Sequence, residues 1–164
     1  MEGEHRKGHF RECNSVNKLF EIVSADNVYF GEKDFQQLRI IEYLVKKMEY
    51  KLNVIRCKTV RQNDGLALSS RNKKLDIYSQ NIATNLFKAL SFAKKNFDTL
   101  DLEIIYAKVE DLLQNFPQIS VDYFAIADEN DLKPIKYKKK NQKYRAFIAA
   151  DISGVRLIDN IKLY

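Results

Sequence analysis

Cysteine is scarce: Cys13 and Cys57 are the only two, and they form no Cys-x-x-Cys pair. That excludes a disulfide-built scaffold and leaves reduced thiols in a cytoplasm as the plain expectation. No apolar run approaches the roughly 18 residues of a membrane span, and no secretory signal is read at the opening. Neither Gly-x-Gly-x-x-Gly nor the Walker phosphate loop occurs, so the two commonest nucleotide signatures are absent. There are no internal repeats, and one lysine run is the only biased segment. What is present is an ordinary globular composition, 45% hydrophobic and 30% charged over 164 residues. A chain of this size buries roughly 70% of its unfolded surface, enough for one domain or two small ones. The formal net charge of +6 suits nucleic acid, an anionic membrane or a polyanionic small substrate without choosing among them.

The informative stretch is Asn27 to Leu38. Val28, Tyr29 and Phe30 suit a buried strand, and Gly31 lets the backbone turn sharply. Leu38, Ile41, Val45 and Met48 then recur at helical spacing as far as about Tyr50. Lys33 and Asp34 thus fall at the carboxyl end of a strand, where open α/β sheets bind ligands. There Lys33 offers a point charge to a phosphate, the helix start adds unpaired N–H groups, and Asp34 can accept from ribose hydroxyls. The competing account is a solvated turn between strand and helix.

Before this stretch, a polar opening from Met1 to Phe10 leads into a helix with Cys13, Val16, Phe20 and Val23 on one face. The opening suits either a frayed terminus or a loop over an anionic ligand. After it, Leu52 to Cys57 reads as a second strand, completing a βαβ unit. Lys58 to Asn72 breaks all periodicity. Within this long loop, Ser69, Ser70 and Arg71 follow an Asp64-Gly65 turn, as either a phosphate grip or a helix N-cap. Asp76 opens a helix with Ile82, Leu86, Leu90, Ala93 and Phe97 on its apolar face. Leu102, Ile105, Val109, Leu112 and Phe116 mark a second helix, the pair making an αα-hairpin around Asp98 and Thr99. Pro117 ends the second helix. Three strands follow, Ile119 to Ala127, Arg145 to Ile152 and Val155 to Leu163, with polar turns at Glu129-Asn130-Asp131 and Gly154. The run Lys136 to Tyr144, lysines interleaved with tyrosines, either binds nucleic acid or keeps a hairpin solvated and its edge strand unpaired. The chain therefore divides near Lys58, and a ligand is expected at the junction.

Several blocks together resemble the pantoate-beta-alanine ligase family. They are Met1-Glu2-Gly3, Arg6-Lys7-Gly8-His9-Phe10, Lys18 to Val23, Phe30-Gly31-Glu32-Lys33-Asp34-Phe35-Gln36-Gln37-Leu38, Val60-Arg61, Asp64 to Asn72, and Arg156 to Asn160. The resemblance implies an α/β fold: a Rossmann-like nucleotidyltransferase (HUP-type) domain, here partial, over 1–58, then a small α+β lid domain over 59–164 made of an αα-hairpin and a three-stranded antiparallel sheet. It implies that ATP adenylates pantoate with loss of pyrophosphate, and that beta-alanine then displaces AMP to give pantothenate. Gly31, Glu32, Lys33 and Asp34 would lie along ATP, and Val60 would meet adenine through its backbone. Leu68, Ser69, Ser70 and Arg71 would embrace the phosphates, and Gln37 would hold pantoate. Lys33, Ser69, Ser70 and Arg71 would carry the charge neutralisation that displacement at phosphorus requires. No carboxylate pair looks like a dedicated metal cage, so Mg2+ is expected to arrive on ATP and no protein metal ligand is named. A cytoplasmic homodimer, with no nucleic-acid or membrane partner, completes the expectation. The alternative is a non-catalytic ATP- or polyanion-binding module on the same scaffold.

Departures from the pattern matter at one point. In the family, the Glu-Gly-x-x-Arg-Pro-Gly-His-Phe block follows a first βα unit carrying a His-x-Gly-His motif and a second pantoate-binding glutamine. Here Met1 stands at that block, with Lys7 in place of the usual Pro and Cys13 in a helix that ordinarily carries small or aliphatic residues. His9 already matches Gly-His-Phe, and His5 falls on a variable position. The chain is therefore expected to be the C-terminal portion of such an enzyme, inactive by itself in pantoate-dependent pyrophosphate release.

Overall fold

The structure is a computed structural model and describes residues 15–164. The polar opening from Met1 to Phe10 and the Cys13 position lie outside the described residues. The chain divides into two compact units between Lys58 and Thr59.

In the first unit, helix α1 over 15–22 buries Phe20, whose ring meets Tyr50 edge-on at 5.7 Å. Val23, expected on the same face, follows the end of the helix and is exposed. Strand β1 (Asn27–Gly31) pairs in parallel with β2 (Asn53–Cys57), Asn27 opposite Asn53 and Gly31 opposite Cys57. Between them come a single 3-10 turn, Glu32–Asp34, and helix α2 (Phe35–Lys47), which buries Phe35, Leu38 and Ile41. The βαβ connection is the one expected, but β1 is not a fully buried strand: Val28 and Phe30 are half-buried and Tyr29 is 68% exposed. Side chains alternate along a strand, and β1 buries only one of its two rows. α2 also stops earlier than its apolar spacing suggests, because Glu49 takes φ 55, and Met48 beside it is exposed.

An ion network ties α2 to β2. Glu42 accepts from Arg56 Nε at 2.6 Å and Nη2 at 2.9 Å, and from Arg39 one turn away. Burial pushes the Glu42 carboxyl up, but the hydrogen bonds and charges of Arg56 and Arg39 outweigh it and hold the group below the ordinary glutamate value. A carboxylate with a depressed folded value stabilises the fold above its unfolded value, and that contribution is lost as pH falls through the folded one. Glu42→Gln is therefore expected to lower the melting temperature near neutral pH and to flatten its fall toward acid. Circular dichroism melts across pH check this, and parallel acid limbs for both proteins would exclude Glu42 as a source of the pH dependence.

The second unit opens with an irregular stretch and a 3-10 turn (Ser70–Lys74), followed by α3 (Ile77–Asn96) and α4 (Leu102–Gln114). Asp76 caps α3 by accepting from Ser79 N at 2.7 Å, as its position suggested. The apolar face of α4 runs Leu102, Ile105, Val109, Leu113, whereas Leu112 and Phe116 are only half-buried. The expected face followed a 3.5-residue repeat, and a straight helix drifts away from it toward Leu113. Strands β3 (Ile119–Asp128), β4 (Tyr144–Ile152) and β5 (Val155–Lys162) form an antiparallel sheet in that order. Central β4 supplies Ala146, Ile148, Ala150 and Ile152, all fully buried, to a core shared with Leu86, Leu90, Ile105 and Val109. The β4–β5 hairpin turns on Ser153 (φ 52) and Gly154 (φ 81), the left-handed pair that matches strand twist.

The lysine run is not merely a solvated hairpin loop. Lys138 donates its ammonium to the carbonyls of Phe97 and Leu100, at the carboxyl end of α3. Tyr144 is buried against Phe97, centroids 5.5 Å apart, and its hydroxyl accepts from Lys139 N at 2.8 Å. Of the run's aromatics, Tyr137 is the exposed one.

One charged group lies fully inside this unit. Arg145, 1% exposed, donates to Glu129 Oε1 at 2.8 Å and to Asn160 Oδ1 at 2.6 Å, and the Tyr164 hydroxyl donates to Glu129 Oε2 at 2.8 Å.

Candidate functional site

In the first unit, the candidate residues follow one another from the carboxyl end of β1 into α2. Gly31 is extended (φ −71, ψ 133), and a Cβ built on it meets nothing within 4 Å. The sharp turn read from this glycine is therefore made by the 3-10 residues after it. Glu32 is buried, while Lys33 Nζ sits 3.9 Å from Asp34 Oδ1, with the lysine side chain 19% exposed. Asp34 occupies the N-cap position of α2 but makes no side-chain cap bond, and the helix has no acid in its first turn. The positive end of the α2 dipole thus lies next to the Lys33 charge with no carboxylate capping it. Gln37, half-buried, projects from the same first turn. The arrangement gathers a cation, helix donors and an amide just past a parallel strand.

In the second unit, Val60 to Leu68 forms a small hairpin. Leu68 N donates to Val60 O at 2.9 Å, Gln62 N to Leu66 O at 2.9 Å, and Asp64 Oδ1 accepts from Leu66 N at 3.0 Å. Gly65 is required at its tip: φ is +92, and a Cβ would lie 2.0 Å from Cδ1 of Phe87. Beneath the hairpin, Arg61 forks onto Asp159, with Nη1 to Oδ2 at 2.6 Å and Nη2 to Oδ1 at 2.9 Å. The same guanidinium donates to Gly65 O and Asn160 O and lies 4.3 Å from the Phe87 ring centroid. Asn72, also buried, donates Nδ2 to Ala67 O at 3.0 Å.

These anchors leave Val60, Leu68, Ser70 and Arg71 facing outward. Ser69 Oγ accepts from Arg71 N at 3.2 Å, so this serine does cap the short 3-10 turn. The Ser70 hydroxyl has no protein partner among the described residues. Arg71 Nη1 donates to Arg156 O at 2.9 Å, which leaves the other face of its fork for a ligand oxygen. One hydroxyl and one guanidinium are thus presented side by side on a braced loop. The sequence by itself assigns no role to the anchoring residues Arg61, Asn72, Phe87 and Asp159; Arg61, Asn72 and Asp159 fall in the resembling blocks, and Phe87 falls in none.

Among the described residues, no group of three or more His, Cys, Asp or Glu side chains converges as a metal centre, and no helix is long and apolar enough to cross a membrane.

A parallel βαβ element with a cationic turn at its strand end, followed by an αα-hairpin on a three-stranded antiparallel sheet, defines a class: a partial Rossmann-like nucleotidyltransferase domain with a small α+β domain. The family model for pantoate-beta-alanine ligase matches residues 1–162, and the chain belongs to that family. Pantothenate synthetase from Flavobacterium psychrophilum is 43% identical over 99% of this chain, and that from Bacteroides thetaiotaomicron is 42% identical over 99%. The crystal structure of pantothenate synthetase from Thermus thermophilus superposes with a TM-score of 0.90 at 33% identity, covering all of this chain and 59% of the other. Pantoate-beta-alanine ligase from Francisella tularensis, solved with beta-gamma ATP and beta-alanine, gives a TM-score of 0.68 at 34% identity, covering 99% of this chain and 54% of that one. The chain spans 58% of the length of these two curated relatives.

Proposed function

We propose that this chain carries part of an ATP-dependent ligase that condenses pantoate with beta-alanine. A pantoate carboxylate oxygen attacks the α-phosphorus of ATP, the bond to pyrophosphate breaks, and pantoyl adenylate forms. The amine of beta-alanine then attacks the acyl carbon, loses a proton and expels AMP. Gly31, Glu32, Lys33 and Asp34 are assigned to ATP, Gln37 to pantoate, Val60 to adenine through its backbone, and Leu68, Ser69, Ser70 and Arg71 to the phosphates. Lys33 and Arg71 offset phosphate charge while Ser70 donates from its unengaged hydroxyl. These groups position and neutralise, which is most of what phosphorus displacement asks of a protein. Mg2+ is assigned as an ion carried on the ATP phosphates. It would supply further charge neutralisation of the pyrophosphate. The assembly is assigned as a cytoplasmic homodimer, with neither nucleic acid nor membrane as partner.

The observation that carries this proposal is the braced Val60 to Arg71 loop, whose exposed end presents Ser70 and Arg71 together. Calorimetry with a non-hydrolysable ATP analogue tests it. Saturable binding that Lys33→Ala weakens is the expected result. Binding of any polyanion, ATP included, that collapses steeply with salt would instead indicate a nonspecific cationic surface.

A further inference from the structure

We propose that Arg61 and Asp159 are positioning residues that set the distance between the two ends of the Val60 to Arg71 loop, so that one nucleotide is held at its base and its phosphates together. The proposal rests on the nucleotide assignment above. Its basis is that both ends of the loop are tied to a single strand. Arg61, next to the adenine-assigned Val60, is held by Asp159 and by Asn160 O; Arg71, at the phosphate-assigned end, is held by Arg156 O. Arg156 and Asp159 stand three residues apart on β5, roughly 10 Å along an extended strand. β5 is itself locked in register against β4 from Arg156 opposite Asp151 to Asp159 opposite Ile148. A paired strand is stiff where a loop is not, so β5 acts as a ruler for the loop.

Arg61 is not itself a phosphate ligand. Its Nη1 donates to Asp159 Oδ2 and Gly65 O, and its Nη2 to Asp159 Oδ1 and Asn160 O. Asp159 Oδ1 also accepts from Asn160 N at 2.7 Å, and its side chain is 5% exposed. Both charges are thus spent on each other and on the backbone. The fork has a geometric task that an ammonium cannot reproduce, because a lysine offers a point charge and cannot hold the carboxylate and two carbonyls in one plane.

The test compares three ligands by calorimetry on the full chain: a non-hydrolysable ATP analogue, adenosine and tripolyphosphate. Arg61→Lys should weaken the analogue about tenfold, the effect of roughly one displaced hydrogen bond, while adenosine and tripolyphosphate, each engaging one end of the loop, keep their affinities. Asp159→Glu retains the charge but lengthens the anchor, and it should show the same selective loss; it decides the matter if circular dichroism shows Arg61→Lys to be unfolded. Equal losses for all three ligands, or none, would overturn the positioning role and leave an ordinary stabilising ion pair. Failure of the unsubstituted protein to bind any of the three would refute the nucleotide assignment, and this proposal with it.

Discussion

Glu129→Ala is expected to destabilise the second unit by about 3–5 kcal/mol, the usual cost of stranding one member of a buried ion pair. Arg145 is 1% exposed and pairs with Glu129, while donating also to Asn160. Without Glu129 the guanidinium keeps its charge, since arginine does not deprotonate in a protein, and it loses the carboxylate that offsets that charge at a buried position. The Tyr164 hydroxyl would lose its acceptor at the same time. Replacing both members, as in Glu129→Leu with Arg145→Met, should recover much of the loss, because similar apolar volume carries no desolvation penalty. Urea unfolding followed by circular dichroism measures both. A loss below about 1 kcal/mol for Glu129→Ala would place the pair among those that behave like surface bridges.

Ser70→Ala is expected to lower kcat for pantoate-dependent pyrophosphate release on the order of 10²- to 10³-fold, the typical loss for one donor aimed at developing charge. The comparison belongs in a protein of the relatives' full length, with KM for ATP changing less than kcat. Ser69→Ala should differ in kind. Its hydroxyl already accepts from Arg71 N, so its removal should lower the melting temperature as well as the rate. Near-normal kcat in both variants would confine the two serines to the 3-10 turn.

How far the sequence could be read depended on whether the cause was local. α3 and the β4–β5 hairpin were legible because apolar spacing, the Asp76 cap and the Gly154 turn each act within a few residues. The βαβ unit was legible for the same reason, although the face of β1 left uncovered was not, since periodicity cannot say what packs on a strand. Lys138 was beyond reach: nothing near it in the chain indicates that the carbonyls of Phe97 and Leu100 wait for its ammonium. At the candidate site, Lys33, Ser70 and Arg71 stood out by residue type and loop context. The Arg61–Asp159 fork did not, because it joins residues 98 positions apart. Gly65 was read as a turn former, yet half of its necessity comes from the Phe87 ring against it.

That separation also orders events during synthesis. At roughly 5–20 residues per second, a ribosome needs on the order of 5–20 s to advance from Arg61 to Asp159. Once Asn96 has been added α3 can form and expose Phe87, but the guanidinium that later lies over the ring still has no carboxylate to hold it. The nascent chain therefore carries a finished helix under an unfastened loop until the strand that fastens it emerges. A stalled or shortened translation product lacking Asp159 would contain both helices of the αα-hairpin but not the carboxylate that fastens the loop, and is expected to be a client for chaperones and an early target for proteases.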